Sequence, residues 1–139
     1  MQIRPFSLFL FILLISINCR KQQDIVPNIT VDIYLNMADP NFININAIGG
    51  AINITGGSKG ILVYRKSLTE FMAYDRNCTY QPSNSCARVQ IDKSLIMAID
   101  SCCGSKFLLT DGTVITGPAP IPLKTYRTTF DGNVVHIFN

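Results

Sequence analysis

Histidine is the scarcest reactive residue in this 139-residue sequence: there is one, His136. A single imidazole rules out any metal site built on two histidines. No histidine lies near a nucleophile, no carboxylates are paired for acid–base work, and no phosphate loop is present. Nothing therefore points to an enzyme. No Cys-x-x-Cys pair occurs, so neither a structural zinc site nor any other metal is expected. Charged residues make up only 15% of the chain, with 12 basic and nine acidic. That balance is too even and too scattered for nucleic-acid binding. No segment sustains a 3.6-residue apolar period, and there is no internal repeat or low-complexity tract.

The one long apolar run is N-terminal, from Phe6 to Ile17, preceded by Arg4. Twelve residues are too short for a membrane-spanning helix, which takes roughly 20. A charged start before a short apolar core reads instead as a secretory signal over 1–18. It ends in Ser16-Ile17-Asn18-Cys19, which resembles a bacterial lipobox, although Asn18 departs from the usual small residue. That resemblance makes Cys19 the lipidated first mature residue, with a tether over 19–28 and a domain over 29–139. Acyl chains would anchor the protein to a membrane at ~0.8 kcal/mol per buried methylene. The expected location is the envelope of a Gram-negative bacterium, periplasmic or at the outer membrane, with an envelope protein as partner. Asn28, Asn53 and Asn77 match glycosylation sequons, a pattern of little weight in such a location.

Beyond the tether the apolar residues alternate. In "ITVDIYL" Ile29, Val31, Ile33 and Leu35 share one face, while Thr30, Asp32 and Tyr34 share the other. Nine further strand candidates follow: "GAINIT", "GILVYRK", "EFMAYDR", "ARVQID", "LIMAID", "KFLLT", "TVITG", "KTYRTTF" and "NVVHIFN". Gly, Asn, Asp and Pro punctuate the gaps. "TDGT" and "FDGN" read as type I′ hairpin turns, and "PNFININAI" as a short helix or loop. The fold class is all-β and antiparallel.

Export places Cys78, Cys86, Cys102 and Cys103 in an oxidising compartment, where disulfides are the default. Four cysteines allow three pairings. The adjacent pair in "DSCCGSKF" is poorly placed to bond to itself, because the peptide between the two would have to distort. Three segments carry the rest of the pattern: "YDRNCTYQPSNSC", "DSCCGSKF" and the proline-rich "GPAPIPLKTY".

In this order the three segments resemble the Rieske domain, which holds a [2Fe-2S] cluster with Cys-x-His and Cys-x-x-His-Gly-Ser-x-Phe loops under a Gly-Pro-Ala-Pro loop. Gly104, Ser105 and Phe107 match the second motif. Gly117, Pro118, Ala119 and Pro120, followed by Leu123 and Tyr126, match the proline loop. The resemblance covers roughly residues 45–139 and implies a Rieske-like antiparallel β-sandwich. Its ligand positions fall on Cys78, Tyr80, Asp100 and Cys103, so one of four keeps the family's residue. A cluster on that mixed shell is disfavoured against thiolate or imidazole; no cofactor is expected, with [2Fe-2S] as the alternative.

The resemblance also implies a Cys86–Cys102 bridge between the loops, which leaves Cys78 facing Cys103 for a second bridge. The crossed pairing remains the alternative. The implied role is a non-enzymatic structural or interaction module with a closed, degenerate cluster site. The rival is electron transfer through an atypical cluster or a reversible disulfide. Simpler roles are expected elsewhere: Tyr80 caps the site, Asp100 caps backbone amides, and Ser105 shapes a turn. His136 sits on the polar face of an edge strand, and Lys59, Arg65 and Lys66 form a solvated face.

Overall fold

Alternation decides the faces and the turn residues decide the lengths. The computed structural model describes residues 24–139, so the expected leader and Cys19 lie outside the described residues. Nine of the ten strand candidates contain a strand, and the first, 29–35, overlaps one that runs a residue further: β1 Asp32–Asn36, β2 Ala51–Ile54, β3 Ile61–Arg65, β4 Phe71–Asp75, β5 Val89–Ile91, β6 Met97–Asp100, β7 Lys106–Leu108, β8 Val114–Thr116, β9 Thr125–Phe130 and β10 Val134–Phe138. A 3₁₀ helix, Pro40–Ile45, occupies the ambiguous window, started by Pro40 and by the Asp39 carboxylate accepting from the Asn41 amide. No helix among the described residues is long and apolar enough to cross a membrane.

The strands form two antiparallel sheets, ordered β1-β10-β9-β4-β3-β2 and β5-β6-β7-β8. In β3, Leu62 and Tyr64 face one apolar cluster, shared with Tyr74, Val89, Ala98, Phe107, Leu109 and Leu123 from both sheets. Ile61 and Val63 face the other, built with Leu35, Ile45, Phe71, Val135 and Ile137. A strand buried on both faces carries an unbroken apolar run, and "ILV" is one. Each such side chain taken from water contributes ~1.5–3 kcal/mol.

Two expectations are corrected. β10 lies between β1 and β9 and is not an edge strand, because "DIYLN" pairs along its full length. His136 is on the outer face as expected, stacked between Tyr34 and Phe138, with Nε2 2.6 Å from Asp32 Oδ1. The Asp-Gly turns are not type I′: Gly112 and Gly132 have positive φ, but Asp111 and Asp131 do not. Each Asp side chain instead accepts from backbone amides two or three residues on, the Asx mode that competes with a mirror-image turn.

Candidate functional site

The smaller sheet carries the cysteines. One loop, 76–88, joins β4 to β5; a second, 101–105, joins β6 to β7; the proline loop, 117–124, joins β8 to β9. The carboxylate of Asp75, fully buried at the end of β4, organises the entry to the first loop. It accepts from the Ser58 amide (2.7 Å), the Asn77 amide (2.8 Å) and the Tyr126 hydroxyl (2.7 Å). A buried carboxylate persists only when its oxygens are satisfied in this way. Asn77 is 1% exposed, which leaves its sequon inaccessible.

The loops are tied to one another by polar contacts. Lys59 donates to the carbonyls of Pro82, Asn84 and Ala87. The expected solvated face is thereby corrected for Lys59, and for Arg65, which donates to the carbonyls of Asn46, Ser67 and Leu68 and lies over the rings of Phe71 and Phe130. Thr79 Oγ1 donates to the Ile121 carbonyl at 2.7 Å. Ser105 does more than shape its turn: its buried Oγ accepts from the Ala119 amide at 2.9 Å and joins the second loop to the proline loop. No sequence signal singles out Lys59 or Asp75, since their partners, the Tyr126 hydroxyl apart, are backbone groups.

Asp100 ends β6 fully buried, and its Oδ1 accepts from the Cys102 amide at 2.8 Å, the capping role expected of it. Gly104, at φ +81, lets its amide turn back to the Asp100 carbonyl at 2.7 Å. This tight turn sends the two adjacent cysteines apart. Cys102 points outward and is bonded to Cys86, with Cα atoms 5.7 Å apart. Cys103 points inward, with Sγ 3.3 Å from Asp100 Oδ2, 3.1 Å from Ser105 Oγ and 3.8 Å from Cys78 Sγ.

The expected Cys78–Cys103 bridge is therefore absent, and both cysteines are free thiols. The Asp100 and Ser105 oxygens hold the Cys103 sulfur in the gap between the loops, at contact with Cys78 and not at the ~2.05 Å of a bond. Cys78 is fully buried. That burial raises its thiol pKa well above the ordinary range; the Tyr80 amide opposes the shift and the Asp100 carboxylate reinforces it. Tyr80 is half-buried and lines a cavity of about 290 Å³ with Asp100, Cys102, Cys103 and Pro118. A larger open trough of about 620 Å³, along 53–60, Arg76 and Arg88, shares no residue with that cavity.

This architecture is that of the Rieske fold. The cyanobacterial plasma membrane Rieske protein PetC3 from Synechocystis PCC 6803 superposes with a TM-score of 0.57 at 25% identity, covering 79% of this chain and 100% of that one. The ferredoxin of carbazole 1,9a-dioxygenase from Nocardioides aromaticivorans IC177 gives 0.50 at 13% identity, covering 80% and 98%. A chain from a complex of reduced oxygenase and oxidised ferredoxin in carbazole 1,9a-dioxygenase gives 0.51 at 17% identity, covering 76% and 93%. No family model matches the sequence, and no curated protein matches it.

The residues present do not fit the cluster of that fold. A Rieske cluster takes two thiolates on one iron and two imidazoles on the other. The motif resemblance places Cys78 and Asp100 at the positions for one iron, and Tyr80 and Cys103 at those for the other. Cys78 and Cys103 thus correspond to opposite irons, yet their sulfurs touch at 3.8 Å. A two-iron, two-sulfide core between them has no room.

Proposed function

We propose that this chain is a non-enzymatic envelope module: a Rieske-type domain that has lost its cluster and keeps the loop tip as a structural or recognition surface. The observation that carries the reading is the contact between Cys78 and Cys103 in place of a cluster, at positions where the fold otherwise presents ligands to separate irons. What remains at the tip is a surface of exposed apolar and polar residues, including Ile121 at 55% exposure, held by the Cys86–Cys102 bridge.

The envelope location rests on the lipobox-like Cys19 and on the likeness to a plasma membrane protein. The end of the tether supports an orientation as well. Asp24 accepts from Ser83 on the first loop, and Lys124, the last residue of the proline loop, donates to Pro27 and Asn28. Cys19 is five residues before Asp24, a reach of at most ~18 Å at ~3.3–3.6 Å per residue. A lipid on Cys19 thus keeps the loop tip close to the membrane, with the β9–β10 turn on the far side.

The test is to purify the full chain anaerobically and measure iron, acid-labile sulfide and visible absorbance. We expect a colourless protein without iron. About two irons and two sulfides per chain overturn the reading in favour of electron transfer. For the anchor, wild-type protein is expected in the membrane fraction and Cys19→Ser in the soluble fraction.

A further inference from the structure

The three inward-facing donors at the tip form a constellation of their own. Cys78 Sγ, Cys103 Sγ and a carboxylate oxygen of Asp100 all lie within 4.8 Å of one another. We propose that Cys78, Asp100 and Cys103 bind one thiophilic divalent cation of the zinc class, as a single-ion site in place of the two-iron cluster. The proposal rests on the reading above that the cluster is lost.

The spacing supports this first. Two zinc–thiolate bonds of about 2.3 Å at the tetrahedral angle separate their sulfurs by about 3.8 Å. Cys78 and Cys103 stand at 3.8 Å. The same distance that excludes a diamond core thus suits one ion. Orientation supports it second. Oδ1 of Asp100 is engaged by the Cys102 amide, which leaves Oδ2 on the side of the Cys103 sulfur. A carboxylate ligand held through its other oxygen is already positioned, as metal-ligand carboxylates commonly are.

Charge supports it third. A fully buried carboxylate beside two thiols lacks a counter-cation: no Lys or Arg among the described residues forms a salt bridge to it, and the one contact of that kind, Asp32 with the His136 ring, lies elsewhere in the fold. A divalent cation would place a positive centre directly against that carboxylate; with the two thiol protons displaced to solvent, the ion, two thiolates and carboxylate together keep the single negative charge of the empty group. The cavity lined by Tyr80, Cys103 and Pro118 gives entry and leaves a fourth coordination position for water or an exogenous ligand. Three protein ligands with one open position make a site that can take up such a ligand. The absence of Cys-x-x-Cys spoke against zinc along the chain. In three dimensions, two loops joined by a disulfide and by Ser105 bring the donors together instead.

The experiment uses the full chain, purified anaerobically without reductant and stripped with a chelator, so that Cys86–Cys102 stays intact. Cd²⁺ is titrated while the near-ultraviolet thiolate-to-cadmium absorption is followed, and Zn²⁺ is then added as competitor. The expected result is one Cd²⁺ per chain, displaced by Zn²⁺. Cys103→Ser and Asp100→Asn each remove a direct ligand, so each is expected to weaken binding by more than the ~10–100-fold that losing an outer-shell partner costs. Should Cys78→Ser fail to fold, Cys103→Ser at its half-exposed position carries the test. A missing absorption band, unchanged binding in Cys103→Ser, or a native mass showing both cysteine pairs oxidised overturns the proposal and leaves the lost-cluster reading standing. Stoichiometric iron with sulfide overturns both.

Discussion

Lys59 Nζ donates to the carbonyl oxygen of Ala87 across 3.0 Å, and the same ammonium also serves the carbonyls of Pro82 and Asn84. One side chain from the β2–β3 turn thereby closes the cysteine-bearing loop from behind. Hydrogen bonds to a charged donor contribute ~1.5–3 kcal/mol each when shielded, but Lys59 is only half-buried and water replaces part of the loss. Lys59→Met is expected to lower unfolding free energy by roughly 1–3 kcal/mol. Hydrogen exchange should quicken at the Cys78 and Ala87 amides, which bond within this loop. Exchange unchanged at those amides would show that the loop holds its shape without the lysine.

The Cys86–Cys102 bridge closes a segment of 16 residues between two loops of the smaller sheet. Loop-closure entropy for that length is worth about 3 kcal/mol. The Cys86→Ser/Cys102→Ser variant is therefore expected to lose ~2–4 kcal/mol in urea unfolding. Both cysteines are exposed, so the loss should come from the cross-link and not from core packing. A variant as stable as the parent would mean that the Lys59, Thr79 and Ser105 ties hold the loops by themselves.

The strands were legible because they depend on local pattern. Alternation in "ITVDIYL" and the unbroken "ILV" of β3 report burial directly, and Gly, Asn and Asp mark the turns. Strand order is a long-range property, so the interior place of β10 was not legible. The Rieske resemblance brought Cys78, Asp100 and Cys103 to one site, because motif spacing records which loops share a sheet end. It did not give the separation of the sulfurs, which depends on side-chain direction: Asp100 and Ser105 fix the Cys103 sulfur. Lys59 was misread because its partners are carbonyls 23 to 28 residues away, which any sequence supplies.

Gly112 and Gly132 separate backbone strain from crowding. Both have positive φ, +75 and +103. A Cβ at Gly112 would stand 2.7 Å from the Tyr74 ring, whereas one at Gly132 meets nothing within 4 Å. Tyr74 cannot easily yield, being fully buried with its hydroxyl bonded to the Leu109 carbonyl. Gly132→Ala is expected to cost ~1–2 kcal/mol from conformation alone. Gly112→Ala should cost that and a further ~1–3 kcal/mol of overpacking. Equal melting temperatures for the two variants would contradict the crowding at Tyr74.

Asp131 links stability to pH through the β9–β10 turn. The amides of Asn133 and Val134 donate to its carboxylate at 2.8 and 2.7 Å, and these bonds hold its pKa below the ordinary 3.8. A carboxyl depressed in the folded state binds protons more readily when unfolded, so its contribution is fully present above about pH 5. It is lost as pH falls below 3.8 through the folded value. Asp131→Asn keeps an oxygen for the two amides and removes the charge. The parent should therefore melt higher than the variant at neutral pH, by an amount that stays level down to about pH 5 and shrinks toward zero in stronger acid. A gap that stays constant across the acid range would assign the turn's contribution to hydrogen-bond geometry, without a share for the charge.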